Sequence, residues 1–422
     1  MAAPDGKYFI QDQLSTPAPH HESFQQLWET KWKQLCSMGV YPFMFGAIQD
    51  FEPVVQKLID DGYKDPYNWD NYAGKFISRA EEVGLRAWKA ESNGKKDEAA
   101  ELYLYISRVS ALYRIARFPI PRSGKQRYAW IEGKRACLKG LSMQQYPVTE
   151  ITIRHTHATG TEMGSFPVYA HIPAKATTSS RAPCIVIMTG LDGYRTELAV
   201  WSAGFAALGV ATLIFEIPGT GDSPANPSDI ASNDRILDSI LDYIGSSPID
   251  PSQLILWGFS TGGYHAIRAA HTHATRFKGF VALGGGCHYM FDPAWLDAAQ
   301  HLEYPFDLGS CLAQKFGYGN DFERFKAEAR QKFSLLEDGT LDKPCGRLLL
   351  VNGTGDEIFP IDDYYLALCH GGPKEVRFVQ GRKHMGEPES FGIVLQWIYD
   401  LLGIDAVPAE QLKTIPFKAK YP

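Results

Sequence analysis

Ser260 sits in Gly258-Phe259-Ser260-Thr261-Gly262, a Gly-x-Ser-x-Gly pentapeptide. A serine hydroxyl is a weak nucleophile until a base takes its proton, so chemistry here needs an imidazole and a carboxylate to orient it. The surroundings fit a strand–turn–helix. Leu254-Ile255-Leu256-Trp257 is an apolar run of strand length, and Gly263 to Ala270 is helix-forming. Flanking glycines suit a strained turn, where a Cβ would clash with the neighbouring strand and helix. The acid and base are expected downstream, acid first. Arg347 to Gly353 reads as a buried strand, and Asp356 lies just beyond it, with Glu357, Asp362 and Asp363 as competing carboxylates. Glu375 to Val379 reads as an alternating strand. After it come Gly381-Arg382-Lys383-His384-Met385-Gly386 and a last amphipathic helix, Phe391 to Leu402. These spacings make His384 the expected base and Asp356 the expected acid.

Acyl transfer also needs donors for the tetrahedral oxyanion. The backbone N–H of Thr261, directly after the nucleophile, is one. The second is expected from Thr189-Gly190-Leu191-Asp192-Gly193-Tyr194, the loop after a strand ending at Met188, and Leu191 is the choice there. Asp192 in this loop has two readings. It bonds its own turn, or it relays a proton to or from a substrate hydroxyl. Gly284-Gly285-Gly286-Cys287-His288-Tyr289 follows a strand, and Cys287, His288, Tyr289 and Tyr194 are candidates to line a pocket. Glu216 to Ser223, with Pro218-Gly219-Thr220-Gly221, reads as a structural turn. His155-x-His157 and His271-x-His273 have no third ligand at zinc-like spacing, so no metal is expected, and no organic cofactor either.

The elements that must position these residues can be read along the 422-residue chain. Residues 1–145 read as helical: Ser23 to Cys36, Phe51 to Gly62, and a hairpin packed through Ala80, Val83, Ala87 and Ala90 against Ala99, Tyr103, Ile106, Val109 and Tyr113. Glu91 to Lys95 breaks that hairpin and Phe118-Pro119-Ile120-Pro121 ends it. From residue 146 to 405 the character changes. Val148 to Ile153 and Phe166 to Ile172 look like a strand pair. Apolar runs follow at Pro183 to Met188, Val210 to Phe215, Leu254 to Trp257, Phe280 to Leu283, Leu348 to Val351 and Val376 to Val379. Helical patterns between most of them predict a mostly parallel sheet covered on both faces. Residues 287–343, with Tyr289, Phe291, Trp295, Tyr304 and Phe306, read as an insertion at the carboxyl end of the sheet, a lid together with the N-terminal helices. Residues 406–422 read as a tail. The fold class is therefore α/β: an α/β-hydrolase fold with an N-terminal helical domain and a lid insertion.

Composition excludes other classes. The net charge of −6 with no Lys/Arg cluster argues against a nucleic-acid surface. No run of 18 apolar residues predicts a membrane span, and Met1 to Lys7 is no secretory signal. Seven scattered cysteines fit free thiols, and with the missing signal they point to the cytoplasm.

Several longer strings carry a resemblance: Trp28 to Lys33, Val40-Tyr41-Pro42-Phe43, Met188 to Arg195, Glu216 to Thr220, Ala269 to His273, Gly286 to Tyr289 and His384-Met385-Gly386. Over nearly the whole chain they resemble the FrsA-like branch of α/β-hydrolases, which includes 2,6-dihydroxypseudooxynicotine hydrolase, a carbon–carbon bond hydrolase. They resemble still more the fungal yellowish-green pigment hydrolases of melanin biosynthesis. The resemblance implies Ser260, Asp356 and His384 as triad, an acid at Asp192, and a homodimer through the helical domain. It also implies an aromatic polyketide substrate, a heptaketide naphthopyrone shortened to 1,3,6,8-tetrahydroxynaphthalene with loss of a β-keto acid. A carboxylesterase or lactonase would use the same triad, as would a hydrolase of another polyketide. A non-enzymatic binding protein on this scaffold would lack a triad member, and none is missing.

Overall fold

The computed structural model describes residues 14–15, 17–93 and 99–415. Met1 to Lys7, the Gly94-Lys95 break, the tail from residue 416, and the side chains of Ala99 and Tyr103 lie outside the described residues. The chain divides into two compact units. One holds Glu150–Leu198 and Gly204–Leu412; the other holds Pro17–Thr149 and Ala199–Ala203.

The second unit is helical. Ile48–Asp60, Trp69–Ser92, Ala99–Arg117 and Gly124–Ser142 are its long helices. Ala80, Val83 and Ala87 are buried on the second, and Ile106, Val109 and Tyr113 on the third. Small residues let the two helices approach closely. The third helix ends at Arg117, where Pro119 would remove a ladder donor. The aromatic segment near residue 28 is less regular than its periodicity predicts. A π-helical turn, Trp28–Trp32, sits between short α-helical pieces and seats both tryptophans in the core.

The first unit is built on eight strands: β1 Thr149–Arg154, β2 Ser165–His171, β3 Ala182–Met188, β4 Ala211–Phe215, β5 Ile249–Phe259, β6 Gly279–Leu283, β7 Leu348–Gly353 and β8 Glu375–Val379. Their order in the sheet is β1-β2-β4-β3-β5-β6-β7-β8. β2 runs antiparallel to β4, and the pairs from β4 through β8 are all parallel. β4, β6 and β7 are buried along their whole length, as continuous apolar strands covered on two faces must be. β5 starts earlier than its apolar run, because Ile249 pairs with Ala182 across a register shift while Pro251 and Ser252 stay exposed.

This register aligns the functional loops. Met188 pairs with Gly258, Phe259 with Leu283, Leu283 with Val351, and Gly353 with Val379. The loops after β3, β5, β6, β7 and β8 therefore leave from one edge. From β3 the chain order runs to β4 on one side and to β5 on the other, and ligands favour that switch point in open α/β sheets.

Candidate active site

Ser260 ends β5 with φ 53° and ψ −122°, a conformation that costs a side-chain-bearing residue about 1–3 kcal/mol. The turn holds because its neighbours have no side chains. A Cβ on Gly258 would lie 2.1 Å from the Gly262 carbonyl oxygen, and one on Gly262 would lie 2.3 Å from that of Thr189. The helix Thr261–Thr272 starts at the next residue, which places its amino end and the Thr261 amide beside the nucleophile. Ser260 N donates to Leu283 O of β6 at 2.7 Å, pinning the turn to the sheet.

His384 Nε2 lies 2.8 Å from Ser260 Oγ, and His384 Nδ1 lies 2.8 Å from Asp356 Oδ2. Asp356 is fully buried. Its Oδ1 accepts from the Ile358 and Phe359 amides at 2.7 and 3.1 Å, and its Oδ2 also accepts from Asn352 Nδ2 at 2.7 Å. Three neutral donors thus hold the carboxylate, and Oδ2 also meets the imidazole. Burial disfavours the His384 cation, but Asp356 outweighs this with help from Glu303 and Glu387, so the pKa of His384 is raised above its ordinary value. Glu387 itself is pushed up to about 7, by burial against the pull of His384 and with the push of Glu303.

The competing carboxylates stand elsewhere. Glu357 pairs with Lys383 at 2.6 Å. Asp362 is buried in the first turn of the helix Asp362–Leu368. Asp363 is the hub of a separate knot, accepting from the amides of His288, Tyr289 and Met290 at 2.9, 2.7 and 3.0 Å.

The loop after β3 packs directly on the nucleophile. A Cβ added to Gly190 would meet Ser260 Cβ at 3.1 Å, and Gly190 N closes the turn onto Gly193 O at 3.0 Å. Leu191 is buried within that turn. Asp192 accepts a 2.8 Å hydrogen bond from the hydroxyl of Tyr304, a residue of the insertion between β6 and β7. Tyr194 is buried, its amide donating to Glu197. Cys287 is fully buried with Sγ 3.3 Å from Asp363 O, His288 Nδ1 meets Ser334 Oγ at 2.6 Å, and Tyr289 is buried beside them. The Cys287 thiol and the His288 and Tyr289 amides belong to the Asp363 knot.

The paired histidines find ordinary partners. His155 meets Ser239 Oγ at 2.8 Å, His157 meets Asp242 at 3.0 Å, His271 meets Lys343 O at 2.8 Å and His273 meets Asp238 at 3.3 Å. The aromatic residues of the insertion mostly build its own core: Phe316 packs on Phe291 and Phe333, with centroids 5.3 and 4.8 Å apart, and all three rings are buried.

Residues 190–388 match the α/β hydrolase family, and this stretch contains the nucleophile turn, both partner loops and the insertion. The chain has the α/β-hydrolase fold. It is 22% identical over 343 residues to the esterase FrsA of Vibrio parahaemolyticus, covering 80% of this hydrolase and 77% of that protein. It is 25% identical over 299 residues to the esterase FrsA of Photorhabdus laumondii, covering 69% and 67%. Among solved structures, 2,6-dihydroxy-pseudo-oxynicotine hydrolase shares the fold with a TM-score of 0.65 at 16% identity, over 90% of this hydrolase and 98% of that chain. AbyA5 does so with a TM-score of 0.63 at 20% identity, over 86% and 96%. Among the described residues, no helix is long and apolar enough to cross a membrane.

Two participants escaped the sequence reading. Asn352 carries a signal in retrospect, a lone amide closing an apolar strand. Glu303 carries none, since it lies 81 residues from His384, the residue whose amide it accepts.

Proposed function

We propose that this hydrolase cleaves a carbon–carbon bond in an aromatic polyketide by acyl transfer to Ser260. The observation that carries the reading is the two-link chain Ser260–His384–Asp356, 2.8 Å at each link. His384 takes the Ser260 proton as Oγ attacks a side-chain ketone. The Thr261 and Leu191 amides are the proposed oxyanion donors. Collapse of the tetrahedral adduct sends the electron pair of the breaking bond to the aryl carbon, where a phenol ring or β-keto arrangement spreads the charge. That carbon takes a proton from His384, or from Asp192 by way of a phenolic hydroxyl. Water then attacks acyl-Ser260 with His384 again as base and releases a carboxylic acid.

Asp192 is what favours this bond over an ester. Bonded to a substrate phenol it would relay a proton to the leaving carbon, a step that an ester does not need, and its carboxylate already accepts from one phenolic hydroxyl, that of Tyr304. The resemblance in the motif strings supports the substrate: a heptaketide naphthopyrone, shortened to 1,3,6,8-tetrahydroxynaphthalene with release of a β-keto acid in fungal melanin formation. It also supports a homodimer through the helical unit. Tyr194, Cys287, His288 and Tyr289 remain the proposed pocket wall, and no cofactor enters the scheme. A carboxylesterase is the second reading, favoured by the FrsA relatives, which are named esterases.

Incubation with a heptaketide naphthopyrone, followed by mass spectrometry, separates the two. The proposal expects tetrahydroxynaphthalene and a β-keto acid from the native enzyme, with Asp192→Asn losing that reaction but keeping p-nitrophenyl ester turnover. Ester cleavage with no naphthopyrone turnover would establish the esterase instead.

A further inference from the structure

The insertion after β6 reaches three separate loops of the site. Trp295 Nε1 donates to Ile358 O at 3.0 Å, in the segment that holds Asp356. Tyr304 donates to Asp192 in the loop after β3. Its neighbour Glu303 accepts the His384 amide with both carboxylate oxygens, at 3.0 and 3.2 Å, and the Glu357 amide at 3.3 Å. One carboxylate therefore bridges the main chains of the acid loop and the base loop, and the next residue holds the loop packed on the nucleophile.

We infer that Glu303 is a positioning residue for the catalytic base, delivered by the insertion, so that the triad is complete only when this segment is docked. A histidine on a loop is held in line with a nucleophile by fixing its main chain as well as its ring. Asp356 fixes the ring; Glu303 fixes the main chain. The charge of Glu303 also faces the imidazole. Around His384 also stand Asp356 and Glu357 from the loop after β7, and Lys383 and Glu387 from its own loop; Lys383 is taken up by Glu357, and Glu387, pushed up to about 7, titrates in the same range as the imidazole. Removing the charge of Glu303 leaves the His384 cation less favoured. His384 must be neutral to accept the Ser260 proton, so the acid limb of reactivity moves to lower pH.

This inference rests on the Ser260 triad reading and is independent of the substrate. The test is the rate of Ser260 labelling by a fluorophosphonate across pH, in the native protein, Glu303→Gln and Glu303→Ala. Glu303→Gln keeps one acceptor oxygen and replaces the other with a donor NH2; we expect a plateau loss smaller than in Glu303→Ala and an acid limb shifted to lower pH. Glu303→Ala removes the acceptor as well, and the plateau is expected to fall about 10- to 100-fold, the order seen when a catalytic group is displaced slightly. A purely structural role would lower the folded fraction without moving the limb. Native plateau and native limb in Glu303→Gln, with the protein folded by circular dichroism, would overturn the inference whatever Glu303→Ala does. Failure of the native protein to label at Ser260 would overturn the triad reading and this inference with it.

Discussion

Asp50 in the helical unit and Asp356 in the sheet unit are both fully buried aspartates, yet their partners differ in kind. Asp50 is gripped by two guanidinium groups, Arg108 at 2.6 Å and Arg79 at 3.4 Å. Arginine does not give up its proton to become a base, so the cluster serves as a fixed strut between helices. Asp356 accepts from the neutral donors of Ile358, Phe359 and Asn352, and it also meets an imidazole that gains and loses a proton near neutrality. Exposure follows the same division. His384 and Ser260 are partly open to solvent while Asp356 is sealed. The same buried carboxylate becomes structural or chemical according to whether its partner can titrate.

The sharpest way to break this contrast is to neutralise each aspartate in turn. Asp356→Asn should lower the acylation rate roughly 10³- to 10⁴-fold while the fold survives, because the wrong imidazole tautomer is then favoured. Fluorophosphonate labelling with circular dichroism checks both halves. Asp50→Asn should instead cost about 2–3 kcal/mol of stability, less than a fully sealed pair because both arginines keep some exposure. Urea denaturation reads that loss, and Ser260 in the folded fraction should still label.

Asn352→Ala tests the neutral shell. It removes a donor to Asp356 and the acceptor for the Gly353 and Met385 amides, each 2.9 Å away. We expect about 1–2 kcal/mol of destabilisation by denaturant titration, with a smaller loss of labelling than in Asp356→Asn. The mildest effect is on pH. The raised pKa of His384 means that the neutral base form is lost as pH falls through a value above that of free histidine, so kcat/KM for ester cleavage should decline from there downward. In Asp356→Asn the largest favourable charge is gone, and the residual limb should lie at lower pH.

The sequence made one half of this contrast legible and concealed the other. The central parallel strands β4, β6 and β7 showed as apolar runs because both their faces are buried. Ser260 showed because the turn tolerates only glycine at its flanks, and His384 because few histidines follow β7. Asp356 is the expected acid from its place just beyond β7, but Glu357, Asp362 and Asp363 stand close enough in sequence to compete, since the choice depends on which oxygen meets His384 Nδ1. The Asp50–Arg108 strut spans 58 residues and the Glu303 clamp 81, and neither leaves a periodic or motif signature. Contacts that depend on how loops meet in space are invisible to patterns along the chain.

The central claim is that Ser260 carries an acyl group cut from carbon. Rapid-quench intact-protein mass spectrometry on a heptaketide naphthopyrone addresses it directly. The account predicts a transient mass increase equal to the β-keto acyl fragment, mapping to Ser260 and absent in Ser260→Ala. Formation of tetrahydroxynaphthalene by Ser260→Ala, with no adduct on the native enzyme, would contradict it.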